Sequence, residues 1–197
     1  MEDYMREIRK RKRRRERKRR RKIERERKII SFIKEMGSTV LIAVVISAVI
    51  LHFFSVVVVD GHSMDSTLYD NEKLLLFQQA YSEKHIPSRG DIIVIKKKIK
   101  DGEYIIKRVI GQGGDTIKIQ NNKVYVNGEV LDEPYINEPM NKNENLTVTI
   151  PKGYLFVMGD NRNNSLDSRS SEIGLIDVKK EVVGKAIFSL SSFSKIY

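Results

Sequence analysis

The chain has 197 residues, no cysteine and a net charge of +11. Disulfide staples, thiolate metal sites and cysteine nucleophiles are therefore excluded. The charge is local: residues 1–35 hold 18 of the 37 Lys/Arg and 7 of the 26 Asp/Glu, and the remaining 19 basic and 19 acidic groups cancel.

Residues 1–35 include Arg9 to Arg15 and Arg17 to Lys22 without an acidic interruption within either run. Like charges this dense repel and cannot build a core. Glu16, Glu24 and Glu26 can support a solvated helix through i,i+4 pairs. Two readings are open for this tail: an anchor for anionic membrane lipids, or a nucleic-acid contact. No aromatic is interleaved for stacking and no DNA-binding motif accompanies the charge, so no nucleic-acid partner is expected.

Gly37 to Val59 is a run of 23 residues whose clearly polar members are Ser38, Thr39, Ser47, His52 and Ser55. About 20 apolar residues span a bilayer. A cleavable signal peptide would have a shorter apolar region and small residues after it. Here four valines, Val56 to Val59, follow, so a retained anchor is expected. The positive-inside rule puts the N-terminus in the cytoplasm and the rest outside. The helix should end near His52–Phe54, where β-branched residues begin a strand. The expected division is a basic cytoplasmic tail at 1–35, a transmembrane anchor at 36–55 and an extracytoplasmic domain at 56–197.

The outer part reads as all-β. Ile92–Ile95, Tyr104–Ile110, Tyr154–Met158 and Val182–Phe188 are strand-like runs. Ile117–Ile119 and Val124–Val126 flank an Asn121-Asn122 turn, and Asn127-Gly128 leads into Glu129–Leu131 as a hairpin. Leu146–Ile150 alternates. Gln78–Ser82 and Leu166–Ser171 read as irregular or briefly helical. The predicted fold class is a mainly antiparallel, barrel- or sandwich-like domain behind one N-terminal transmembrane helix.

Ser63 stands in Asp60-Gly61-His62-Ser63-Met64-Asp65-Ser66-Thr67-Leu68. His62 is a poor base for it, because neighbours on an extended chain point to opposite faces. His85 reads as a loop residue. None of the histidines pairs at metal-ligand spacing, so a zinc site is not expected. Lys107 lies between Ile105-Ile106 and Val109-Ile110. Alternation places Lys107 on one face and Arg108 on the other, so one cation must approach the core. Burial lowers a lysine's pKa. To act as a base near neutrality it must fall by about three from roughly 10.4, at a cost near 4 kcal/mol. The competing reading is a lysine that merely flanks a strand edge. Gly159 to Arg169 is dense in turn and hydrogen-bonding residues. Local pairs Asp167–Arg169 and Asp160–Arg162 are expected, in either a braced site or an ordinary polar loop.

Together these segments resemble the bacterial type I signal peptidases. The Asp60–Leu68 stretch is similar to that family's nucleophile box. Arg89-Gly90-Asp91-Ile92-Ile93-Val94, Lys107 to Asp115 and Gly159 to Arg169 resemble its later boxes, in order. The resemblance implies a membrane-bound serine endopeptidase that removes signal peptides from secretory preproteins and requires neither a metal nor an organic cofactor. By it, Ser63 is the nucleophile and Lys107 the general base, Ser165 orients the lysine, and Asp167 with Arg169 braces the site. It implies a substrate strand whose residues −1 and −3 are small. Val57, Met64, Leu68, Ile105 and Ile106 are the candidate lining residues. Ser66 and Gly113 stand where prolines are usual, which implies looser loops. Two rival readings are a self-cleaving repressor-type protease and a membrane-anchored domain that binds peptides without cutting them.

Overall fold

The computed structural model describes residues 1–99, 102–141 and 144–196. In chain order they form α1 (Glu2–Phe53), β1 (Phe54–Val58), β2 (Lys73–Phe77), β3 (Ile92–Ile99), β4 (Gly102–Gln112), β5 (Thr116–Gln120), β6 (Lys123–Val126), β7 (Glu129–Val130), β8 (Leu146–Thr149), β9 (Tyr154–Met158), β10 (Ile176–Asp177), α2 (Val178–Glu181), β11 (Val182–Ser189) and β12 (Ser194–Lys195). Two compact units result, Met1–Ile50 and Leu51–Tyr197.

The first unit is α1 as far as Ile50. It is long and apolar enough to cross a membrane, by length and composition. The basic stretch is helical too, with Arg11–Glu7 and Lys22–Glu26 pairs one turn apart. Such exposed pairs are worth only a few tenths of a kcal/mol each. The helix stops at Phe53, and Phe54-Ser55-Val56-Val57-Val58 is strand. Aromatic and β-branched side chains favour the pleated conformation there.

The second unit has two antiparallel sheets. The larger runs β1-β2-β11-β3-β4-β9-β10 with β12 on β11, and the smaller runs β7-β6-β5-β8. β5 and β6 turn through Asn121 and Asn122, both at positive φ. β6 and β7 turn through Asn127 and Gly128, also both at positive φ. These are residues that enter the left-handed region at least cost. Lys73–Phe77 is a strand that the alternation missed. Leu74-Leu75-Leu76, between β1 and β11, is apolar at every position and so carries no period-2 signal, although its burial alternates. Gln78–Ser82 and Leu166–Ser171 contain no helix.

Three apolar clusters fill this unit. One joins β4 to the smaller sheet through Ile110, Ile117, Phe156 and Met158. A second packs Ile93, Ile95, Val109, Leu155 and Val157. The third sets Val59, Met64 and Leu68 on Leu74, Ile92 and Ala186. β4 is hydrogen-bonded between β3 and β9, and its Val109 and Ile110 face different clusters. That corrects the expectation of one buried cation. With both faces covered, Lys107 and Arg108 are both buried, at 3 % and 2 % exposure.

Candidate active site

The site starts from the way β1 ends. Val59 is buried, and Gly61 turns at φ +88 while its N–H donates to Asp70 Oδ1 at 2.8 Å. The chain then folds into a tight turn. Asp65 N–H donates to the His62 carbonyl, and the Thr67 and Leu68 N–H groups donate to that of Met64. Met64 and Leu68 are buried anchors, so the turn is pinned by its apolar side chains while Ser63 stays partly exposed. His62 points away: Nδ1 lies 3.1 Å from Asp65 Oδ2 on the surface. His85 lies in an exposed turn with Ser82.

β4 brings Lys107 to this turn. Its Nζ donates to Ser63 Oγ at 2.7 Å and to the Ile106 carbonyl at 2.9 Å. Burial lowers the ammonium pKa to about 8, although the charges of Asp167 and Asp160 act the other way. Desolvation wins because neither carboxylate hydrogen-bonds to Nζ. A lysine with that pKa is neutral in a useful fraction of molecules near pH 8.

The loop after β9 closes the site from the other side. The Asn161 N–H donates to the Ser63 carbonyl at 3.1 Å, and its Nδ2 donates to the His62 carbonyl at 3.0 Å. Asp167 accepts from the Gly159 N–H at 3.0 Å and from Arg169 Nε and Nη2 at 2.8 and 2.9 Å. Arg169 also donates to the Arg162 carbonyl. So Asp167 and Arg169 meet as expected and hold the loop. Ser165 does not do what was expected. Its Oγ is buried without a hydrogen-bond partner and does not reach Lys107. It packs over Gly159 instead: a Cβ there would overlap both Ser165 Oγ and the Ser63 carbonyl.

The expected Asp160–Arg162 pair is also corrected. Asp160 takes both Nε and Nη2 of Arg108, at 2.8 and 2.7 Å, from the neighbouring strand. Arg162 forks onto Glu133 at 3.0 and 2.5 Å. Buried carboxylates select the guanidinium that can dock two parallel N–H groups. Arg108 further donates to the Gly90 carbonyl and to Thr67 Oγ1, and Tyr135 lies 4.0 Å beneath it. Sequence spacing gave no sign of these long-range partners or of Asn161.

Ser63 and Lys107 lie in a cleft of about 630 Å³. Val57, Met64, Ile105 and Ile106 line it, joined by Asp60, Gln78 and Tyr104, which the sequence did not single out. Leu68 does not line it. Its backbone bond to Met64 rolls the side chain into the core, where it is 1 % exposed. β1 is an edge strand, and β4 pairs with β9 only from Arg108 onward. Two free strand edges therefore belong to the elements that wall the cleft. Among the described residues no group of three or more His, Asp or Glu could hold a metal.

Gly113, which stands where the resemblance expects proline, is not simply a loosened loop position. A Cβ there would come 2.8 Å from Lys152 Cα and 2.9 Å from the Pro151 carbonyl. A ring would have no room at this site.

The chain is similar to a signal peptidase I of Bacillus licheniformis, 39 % identical over 82 % of this chain and 90 % of that one. Signal peptidase I T of Bacillus subtilis (strain 168) is 36 % identical over 82 % and 87 %. A crystal structure of a signal peptidase I from Enterococcus faecalis V583 aligns at 33 % identity and TM-score 0.43, covering 50 % of this chain and 95 % of that one. A family model described as signal peptidase, peptidase S26, matches residues 30–191, and the chain belongs to that family.

Proposed function

We propose that this signal peptidase cuts secretory preproteins with Ser63 as nucleophile and Lys107 as general base. The observation that supports it is the 2.7 Å contact between Lys107 Nζ and Ser63 Oγ in an apolar-walled cleft. Neutral Lys107 takes the Ser63 proton as Oγ attacks the scissile carbonyl, and the resulting ammonium donates to the leaving amine. Lysine then activates the water that releases the acyl chain. The Ser63 N–H supplies an oxyanion donor, a contribution of ~3–4 kcal/mol in comparable enzymes. Gly61 offers no side-chain hydroxyl, so a second donor lies elsewhere. Asp167 and Arg169 keep the loop in place against the nucleophile turn.

The substrate lies extended and adds a strand between the free edges of β1 and β4. Val57, Met64, Ile105 and Ile106 crowd the cleft walls, which favours small side chains at −1 and −3. Residues 1–35 are the cytoplasmic tail, 36–55 the anchor and 56–197 the extracytoplasmic catalytic part. The tail's basic residues meet anionic lipid headgroups, at roughly 1 kcal/mol each close to the surface.

The test is cleavage of a secretory precursor in detergent by the full chain. The parent is expected to cut after the signal peptide, and Ser63→Ala and Lys107→Ala to be inactive. Cleavage by either variant at the parent rate would refute the dyad. A parent that binds precursor without cutting would favour the non-catalytic rival. For topology, protease added outside intact cells is expected to digest residues beyond 60 and spare the tail.

A further inference from the structure

Ser66 sits at φ +92, where a non-glycine residue is strained and a proline ring, fixed near φ −65°, cannot go. Its Oγ donates to the Tyr135 carbonyl at 2.5 Å across 69 positions of sequence. The Tyr135 ring stacks under the Arg108 guanidinium, Arg108 reaches back to Thr67, and Lys107 is the next residue on the strand. The contacts close a circuit: Ser63 to Lys107, Lys107 to Arg108 along β4, Arg108 to Tyr135, Tyr135 to Ser66, and Ser66 back to Ser63 through one turn. Strain held in place by a cross-chain bond marks a position that the surroundings over-determine.

We infer that Ser66 is a positioning residue for the cleavage reaction: its hydroxyl anchors the far end of the nucleophile turn to Tyr135, so that Ser63 Oγ stays seated on Lys107. The inference rests on the Ser63–Lys107 reading above. Asn161 fixes the near end of the turn at His62 and Ser63, and a 3.3 Å contact from Arg108 holds Thr67, the residue after Ser66. Without the Ser66 bond, the turn keeps the Asn161 and Arg108 clamps but loses the tie to Tyr135, and the Oγ–Nζ distance is set less tightly. Misplacement of a reacting group by about 1 Å can cost on the order of 100-fold in rate. The serine is thus not a loosened proline. It holds a differently shaped turn by a hydrogen bond instead of by a ring.

The experiment compares full-length parent, Ser66→Gly, Ser66→Ala, Ser66→Pro and Ser63→Ala in detergent. Kinetics use a precursor with alanine at −1 and −3, and folding is followed by thermal melting. Ser66→Gly and Ser66→Ala are expected to lose about tenfold in kcat with KM unchanged within about twofold, the part of that 100-fold left when the other two clamps remain. Their melting temperatures should separate, with glycine at or above the parent and alanine below it. Only glycine relieves the positive φ, while the rate loss follows the hydroxyl in both. Ser66→Pro should lose on the order of 100-fold or more. Glycine and alanine variants at the parent kcat would overturn the inference, as would a proline variant as fast as the parent. Activity in Ser63→Ala would overturn the dyad itself and the role of Ser66 with it. An inactive Ser63→Ala beside a full-speed Ser66→Gly would remove Ser66 alone.

Discussion

Lys107 is the group whose removal most directly tests the electrostatics of this site. An unfolded lysine keeps its proton up to about 10.5, and this buried one gives it up near 8. That difference corresponds to ~3 kcal/mol of destabilisation while the lysine is charged in both states. The sign follows from proton counting. Between pH 8 and 10.5 the unfolded chain binds more protons than the folded one, so stability rises with pH across that window. Below pH 8 the whole penalty is present. Methionine at this position fills similar volume and carries no charge. It gives up the bonds to Ser63 and to the Ile106 carbonyl, worth about 1 kcal/mol each, and so nets ~1 kcal/mol of stabilisation at pH 7. For a protein of this size that is roughly 2–4 °C in Tm. The assay is thermal melting of parent and Lys107→Met in the same detergent at pH 7, 8, 9 and 10. The variant should melt higher at pH 7, with the gap closing towards pH 10. The parent's kcat/KM should rise about tenfold per pH unit below 8 and level off above it, because the proposed mechanism uses neutral lysine as the base. A variant that melts below the parent at pH 7, a gap independent of pH, or a flat rate profile would each refute the reasoning.

Lys107→Arg should be inactive at every pH up to about 10, since a guanidinium does not give up its proton in proteins; pH-resolved precursor cleavage checks this. Gly159→Ala should lower kcat by on the order of 100-fold, because its Cβ would push on Ser165 and the Ser63 carbonyl together, and steady-state kinetics would show it. Asp160→Ala leaves buried Arg108 without its carboxylate and should cost about 3–5 kcal/mol in denaturant unfolding. Leu68→Ala should cost about 2–5 kcal/mol of stability with KM unchanged, whereas Ile106→Ala should raise KM, a contrast that places Leu68 in the core and Ile106 in the cleft.

What could be read from the sequence was what is written in local period or in turn chemistry. The helix end at Phe53, the Asn121-Asn122 and Asn127-Gly128 turns, and β3, β4 and β9 all have signals within a few residues. β2 escaped because Leu74, Leu75 and Leu76 are all apolar, so the sequence does not alternate although the burial does. β10 and β12 are two residues each, too short to carry any pattern. At the site, the nearness of Ser63 and Lys107 came from resemblance and not from spacing, since 44 positions separate them. The arginine partners could not be read locally. Asp160 has Arg162 two residues away yet bonds Arg108, because register across β4 and β9 sets Arg108 opposite Met158, next to that loop. The lysine-orienting role of Ser165 comes from the resemblance, and the geometry leaves its Oγ buried without a partner.

Lys107 and Arg108 are adjacent, equally buried and formally of the same charge, yet they are solvated in opposite ways. Arg108 has a bidentate carboxylate, a backbone carbonyl, a hydroxyl and an aromatic face. Lys107 has one hydroxyl and one carbonyl. A guanidinium cannot escape the cost of burial by losing a proton, so in a dry strand it must be fully paired. An ammonium can, and does so when its partners are too few. Two carboxylates lie near enough to raise the lysine pKa electrostatically, but Arg108 and Arg169 occupy their oxygens. The two arginines thereby act on the lysine without touching it. By claiming Asp160 and Asp167, they leave Lys107 under-solvated and able to lose its proton. A titratable base next to a serine thus depends on where the neighbouring carboxylates are spent, and that follows from the strand register which seats Arg108 against the loop.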